Sequence, residues 1–380
     1  MRRGLLTFAG VAAAATAYLL GWPVPADPVA WQPPPTPGYA GPHAVNDRLT
    51  RLQHLDLGSE VGPEHVVARP DGWLYVAVAS GKILRLRPDG SAREVVVNTG
   101  GRPLGFDFDA EGALVIADPL YGEHGALLKA GGSGPSARLQ VLADRVDGDP
   151  LRYVDAVVVA RDGKIYFTDA SRRFGPKQWG GTFPASVLDI LEHQSTGRLL
   201  EHDPATGRTR VLVAGLCFPN GLALSQDGSH LFLNETGEYR VWKVSVQADR
   251  LDARQLAAGS PQAQVLLSNL PGYPDNLMRG RDGRLWVGLA KPRGAFIDNN
   301  AQRPWLRRLA LRLPKALWPV PPAYGHVFAF DESGRVLADL QDPSGVYPET
   351  TAVTETEDRL YIQSLHAKTL GWLDRKSAGL

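Results

Sequence analysis

Apolar and polar residues alternate in short runs along most of the chain, and turn residues cut the runs at recurring positions. The pattern is clearest in residues 64–68, 74–78, 83–86 and 93–98, which are rich in β-branched and aromatic side chains. Arg69-Pro70-Asp71-Gly72, Ser80-Gly81 and Pro88-Asp89-Gly90 separate them. Period-two alternation bounded by Gly, Pro and Asp predicts strands joined by tight turns. Four short antiparallel strands make one propeller blade. The plan recurs at 156–160, 164–168, 198–202 and 209–213, and again at 222–225, 230–234, 239–246 and 265–268. Equivalent turns hold Gly72, Gly112, Gly163, Gly228, Gly283 and, in a degenerate last copy, Arg359. That last copy has three strands, 352–356, 359–363 and 369–373, and the strand-like stretch 48–57 is expected to supply the fourth. This closure leaves no sheet edge open. The expected fold is all-β: a six-bladed β-propeller of four-stranded antiparallel blades around a central channel, spanning 48–374.

Eight residues before each turn stand Glu64, Leu104, Asp155, Asn220, Asp275 and Thr351. The first strand of a blade lines the channel, so these positions converge at one mouth. Three carboxylates gathered there repel unless some hold protons or a cation joins them. Asn220 adds a neutral oxygen, and Asn276 is a further candidate beside Asp275. An all-oxygen set selects a hard cation, and an irregular ring suits Ca²⁺ better than Mg²⁺. None of the nine histidines forms a close pair in sequence, which speaks against zinc. The loops 170–197 and 291–325 are long and return to the same mouth, where a lid is expected. His124 and His366 fall in loops facing that mouth and are candidate proton carriers.

Bulk composition adds limits. A net charge of +1 provides no field to recruit nucleic acid. The single cysteine, Cys217, lies among apolar residues and is expected to be buried and inert. Residues 1–22 read as a signal-anchor or signal peptide, 23–47 as a proline-rich spacer, and 375–380 as a tail. The paired arginines Arg2 and Arg3 favour a cytoplasmic N-terminus, with the propeller exported: anchored outside the cytoplasm, or secreted if the segment is cleaved. Residues 4–22, and the amphipathic stretch 305–318, are candidate membrane contacts.

The stretches FPNGLALSQDGSHLFLNE (218–235), LPGYPDNLMRGRDGRLWVGL (270–289) and DAVVVARDGKIYFTD (155–169) resemble the strictosidine synthase-like family. More distantly, the chain resembles gluconolactonases and paraoxonases, which are calcium-dependent six-bladed propellers. The resemblance implies Glu64, Asp155, Asn220, Asp275 and Asn276 as Ca²⁺ ligands. It implies Asp275 as general base or nucleophile of an ester or lactone hydrolase; from their place at the mouth, His124 or His366 would move protons. The expected substrate is a small apolar ester or lactone. Amine–aldehyde condensation is disfavoured, because Thr351 stands where the synthases carry a catalytic Glu. Glu349, two residues away, is expected off the channel. A non-catalytic binding propeller with a structural metal stays open at this point.

Overall fold

The structure, a computed structural model, describes residues 2–132, 137–256 and 260–380, the side chains of 2–6 excepted. Arg2 and Arg3, on which the orientation was read, therefore lie outside the described side chains. Six antiparallel sheets follow the expected plan. Blade one comprises His65–Ala68, Leu74–Ala77, Lys82–Leu86 and Arg93–Asn98. Blade two comprises Gly105–Phe108, Leu114–Asp118, Ala126–Gly131 and Arg138–Ala143. Blade three begins at Val154–Val159, blade four at Pro219–Leu224, blade five at Gly272–Arg279 and blade six at Thr350–Glu355. Blade three gains a fifth strand, Leu251–Asp252, parallel to Arg208–Leu216. Gln53–Asp56 pairs with Thr369–Asp374, placing Gln53 opposite Trp372, so an early strand closes the last blade as expected.

The turns work as their sequence predicts. Asp71 Oδ1 accepts the Trp73 N–H at 3.0 Å, and Gly72 takes φ +79°, a region glycine enters without steric cost. Six apolar clusters of buried residues hold the blades together. At the centre, the inner strands approach so closely that a Cβ on Gly221 would lie 2.2 Å from the backbone nitrogen of Leu277 in the next blade.

Both long insertions fold over one mouth. The first carries helix Thr182–Glu192, and the second carries helices Ala295–Asn299 and Pro304–Leu311. The proline-rich stretch, expected to be a semi-rigid spacer, packs against the propeller's insertions. Val29 N–H donates to Glu192 O at 3.0 Å, Trp31 N–H donates to Ala301 O at 3.3 Å, and the Trp31 indole stacks on His193 at 3.7 Å. The segment therefore straps the two insertions together. Arg307 was read as one of the basic residues of an amphipathic helix, but it is fully buried. It donates to the carbonyls of Leu191 at 2.9 Å, Ala301 at 3.1 Å and Val29. Carbonyls left over by three converging loops explain the buried guanidinium. Residues Arg2–Gly21 form a helix, but among the described residues no helix is long and apolar enough to cross a membrane.

Candidate functional site

The register built on the turns delivers four of its residues to one place. Glu64, Asp155, Asn220 and Asp275 line a single cavity of about 50 Å³ at the mouth, and each is at most 6% exposed. Local backbone geometry aims three of them. The pairing register shifts between Val154 and Val157, between Pro219 and Leu222, and between Pro274 and Leu277. A fourth shift lies between Thr350 and Val353. Each bulge sits on the register residue of its blade, and a bulge re-aims a side chain away from strict alternation. Neighbouring side chains hold the bulged backbone. Thr168 Oγ1 donates to Asn220 O at 3.1 Å, and Asn234 Nδ2 donates to Asp275 O at 2.6 Å. Two more donors, Thr351 Oγ1 and Asn276 Nδ2, each reach Glu64 O at 2.9 Å.

Asn276 thus departs from its expected place. It does not line the carboxylate cavity but the channel below, where it anchors the Glu64 backbone. His124 is not brought to the mouth either; with Pro119, Arg152 and Lys177 it lines a separate small cavity. His366 does line the carboxylate cavity. Its Nδ1 contacts Glu349 Oε2, whose partner oxygen lies 2.8 Å from Lys291 Nζ. Glu349 therefore stands beside the cavity, reaching it only through His366, and lines neither mouth cavity itself. Burial would raise its carboxyl, but the hydrogen bonds to His366 and Lys291 outweigh it and hold the group down at about 2. His65 follows Glu64, and strand alternation would turn it away from the channel; instead it lines the channel below the mouth with Asn276, its buried ring packed on Phe106 at 5.0 Å. Cys217 is buried, and burial pushes its thiol well up, as an inert cysteine requires.

Burial dominates the electrostatics of the mouth. It raises Glu64 to about 7, against the lowering effect of Arg102, and raises Asp155 and Asp275 well above the carboxylate range, with their mutual repulsion adding to it. One fixed cation partly offsets these groups: Arg102 Nη2 lies 3.3 Å from Glu64 Oε2. Sequence reasoning missed Arg102, because the register residue of its blade is the apolar Leu104, two positions further on. The donor set suits a bound cation in one specific way. Asn220 Nδ2 donates to Asp275 Oδ1 at 2.8 Å, and that orientation leaves Asn220 Oδ1 buried without a partner. An orphaned amide oxygen beside three buried carboxyls whose ionisation is opposed leaves acceptors that a hard cation would satisfy. The three carboxyls do not bring oxygens within 4.8 Å of one another and would have to draw together around it.

A second, larger cavity of about 110 Å³ adjoins the first. Asn220 and Asp275 belong to both, while Phe183, Val187, Ile190 and Val320 from the two insertions give this one apolar walls. The lid expected from the long loops is therefore present and forms the roof of a pocket.

The burial of these carboxylates sets a pH dependence. Glu64, Asp189 and Glu192 are all raised to about 7, mainly by burial. Near neutral pH the native state then binds protons that the unfolded chain has released, so stability falls as pH rises. Below about pH 6.5 the lowered imidazoles of His65, His202 and His326 act in the opposite sense. Protein kept in chelator should therefore lose thermal stability from about pH 6.5 to 7.5, with the slope dying away above about pH 8 as the last of these carboxyls ionises. A melting temperature that is flat or rising across that range would contradict the burial described.

These features define a six-bladed propeller with an acidic, lidded channel mouth. The strictosidine synthase family profile matches residues 155–249, and the profile of the strictosidine synthase-like N-terminal region matches 41–86. The Arabidopsis thaliana protein strictosidine synthase-like 7 is 33% identical over 302 residues, covering 78% of this chain and 72% of that protein. The chain belongs to the strictosidine synthase-like family. The Gallus gallus adipocyte plasma membrane-associated protein is 28% identical over 388 residues, covering 95% of this chain and 88% of its own length. Solved structures share the fold. A gluconolactonase from Xanthomonas campestris aligns with TM-score 0.55 at 21% identity, over 91% of this chain and 99% of that one. The calcium-binding protein regucalcin from Agrobacterium tumefaciens aligns with TM-score 0.54 at 15% identity, over 85% and 93%.

Proposed function

We infer that this protein is a calcium-dependent hydrolase of small apolar carboxylic esters or lactones. The observation that supports this most is the orphaned Asn220 oxygen among Glu64, Asp155 and Asp275, opening on an apolar pocket. Those four residues would hold the ion. When bound, a calcium ion polarises a carbonyl oxygen and stabilises the charge that develops on it. The protein's own groups do the rest. Phe183, Val187 and Ile190 receive the acyl or ring portion and keep bulk water from it. Asp275, shared by both cavities, stands where a water proton can be taken up. His366, held by Glu349 through Nδ1, leaves its other ring nitrogen free to pass that proton outward. Condensation of an amine with an aldehyde is disfavoured further, since the Thr351 hydroxyl is committed to Glu64 O.

The test uses the full-length protein on phenyl acetate, p-nitrophenyl esters and simple lactones. Turnover should depend on added Ca²⁺ and vanish in chelator. Turnover that ignores chelation would overturn the reading. Thermal stabilisation by Ca²⁺ with no turnover on any ester or lactone would mark a binding propeller instead.

A further inference from the structure

Outside the carboxylate cavity, two imidazoles and a carboxylate meet on the outer strands of blade five. His326 lies on strand Gly325–Phe330 and Asp339 on the neighbouring strand Val336–Asp342. His326 stands opposite Gln341 and Phe328 opposite Asp339, so His326 and Asp339 are diagonal neighbours on one face. His43 arrives from the short turn Gly41–His43, 296 residues away from Asp339 in sequence. His43 Nδ1 and His326 Nε2 each lie 2.7 Å from the same atom, Asp339 Oδ2. The three ligand atoms are within 4.8 Å of one another, and all three side chains are buried. Among the described residues, no other three His, Cys, Asp or Glu side chains meet that condition.

Two independent features suit a metal. The remaining oxygen, Asp339 Oδ1, accepts from Asn46 Nδ2 at 3.0 Å and from Gln341 Nε2 at 2.5 Å. These bonds turn Oδ2 toward both imidazoles, the kind of outer support that metal-binding carboxylates use. A surface cleft of about 350 Å³, walled by Asn46, Arg48 and Asp339, brings solvent up to the carboxylate side of the cluster, while neither imidazole lines it. Two imidazole nitrogens and one carboxylate oxygen are a borderline-soft set that fits Zn²⁺ and not Ca²⁺.

We propose that His43, His326 and Asp339 form a second metal site, for a zinc-like divalent cation completed by water, that staples the N-terminal segment to blade five. The segment continues along the same strand, where Leu49 N–H donates to Gln341 O at 2.9 Å, and then becomes the ring-closing strand Gln53–Asp56. The ion thus joins the outer edge of blade five to the strand that completes blade six. Without metal, both imidazoles bond to Asp339, so the three ligands stay assembled. Spacing in the sequence gives no hint of this cluster, because its three ligands lie on separate elements.

The experiment uses the full-length protein, saturated with Ca²⁺ and then titrated with ZnCl₂. Calorimetry should find one strong zinc equivalent per chain, and the melting temperature should rise by about 3 °C or more. Co²⁺ in place of zinc should give the intense visible absorption of a four-coordinate site. His43→Ala should weaken zinc binding by at least about tenfold and remove the thermal shift, with circular dichroism unchanged. Glu64→Gln, at the mouth, should leave zinc binding intact. Should His43→Ala unfold, Asp339→Asn keeps the volume and replaces it. Zinc binding that is absent from wild type, or equal in wild type and the site variant, would reduce the cluster to a hydrogen-bonded triad and overturn the proposal.

Discussion

Asp275→Asn should lower kcat on phenyl acetate and simple lactones by about a thousandfold or more. The substitution keeps the shape of the side chain and an oxygen for the Asn220 amide, whose bond to Asp275 Oδ1 is 2.8 Å long. It removes the negative charge and the basic site together. Two losses then act on one residue: a weaker hold on the ion and no acceptor for the water proton. Assays at saturating Ca²⁺ separate them. Rescue of most turnover at high Ca²⁺ would make Asp275 a ligand only and move the base to another residue, with His366 the first to test. Wild-type turnover without rescue would remove Asp275 from the reaction altogether.

Gly221→Ala should be among the most damaging single changes in the fold that touch no reacting group. Its Cβ would meet Leu277 N at 2.2 Å, the carbonyl carbon of Asn276 at 2.4 Å and Asp275 O at 2.5 Å. All three are backbone atoms of the next inner strand, so no side chain can turn aside. The cost should be about 3 kcal/mol or more, measured by denaturant unfolding. Because Gly221 adjoins Asn220 and presses on Asp275, any folded fraction should also lose its stabilisation by Ca²⁺. Gly131→Ala is the control: its nearest neighbour atom would be 4.0 Å away, and it should cost under about 1 kcal/mol. Equal stability of the two variants would show that the inner strands can separate freely.

Much of the propeller was legible because its signals are local. A turn aspartate that caps its own loop and a left-handed glycine act within four residues, and alternation needs only one strand. The same register also assembled Glu64, Asp155, Asn220 and Asp275, since each blade repeats one geometry. The bulges were not legible, and they decide where individual side chains go. Asn276 reads as a ligand beside Asp275, yet it turns into the channel and holds Glu64 O. His124 shares a loop type with His366, yet only His366 reaches the carboxylates. Loop length predicts a lid; it does not say which residue lies under it.

By itself, then, the sequence determined the all-β class, six blades, closure by an early strand and an acidic position repeated around one mouth. Each of these follows from short-range periodicity. Only the tertiary structure decided that Arg102 sits against Glu64, that Glu349 joins His366 to Lys291, and that residues 27–35 strap the lid. It alone brought His43 to His326 and Asp339. The physical reason is common to all of them. Contacts between residues far apart in sequence are chosen by leftover donors, buried charge and available volume, and none of these exists until the blades have closed.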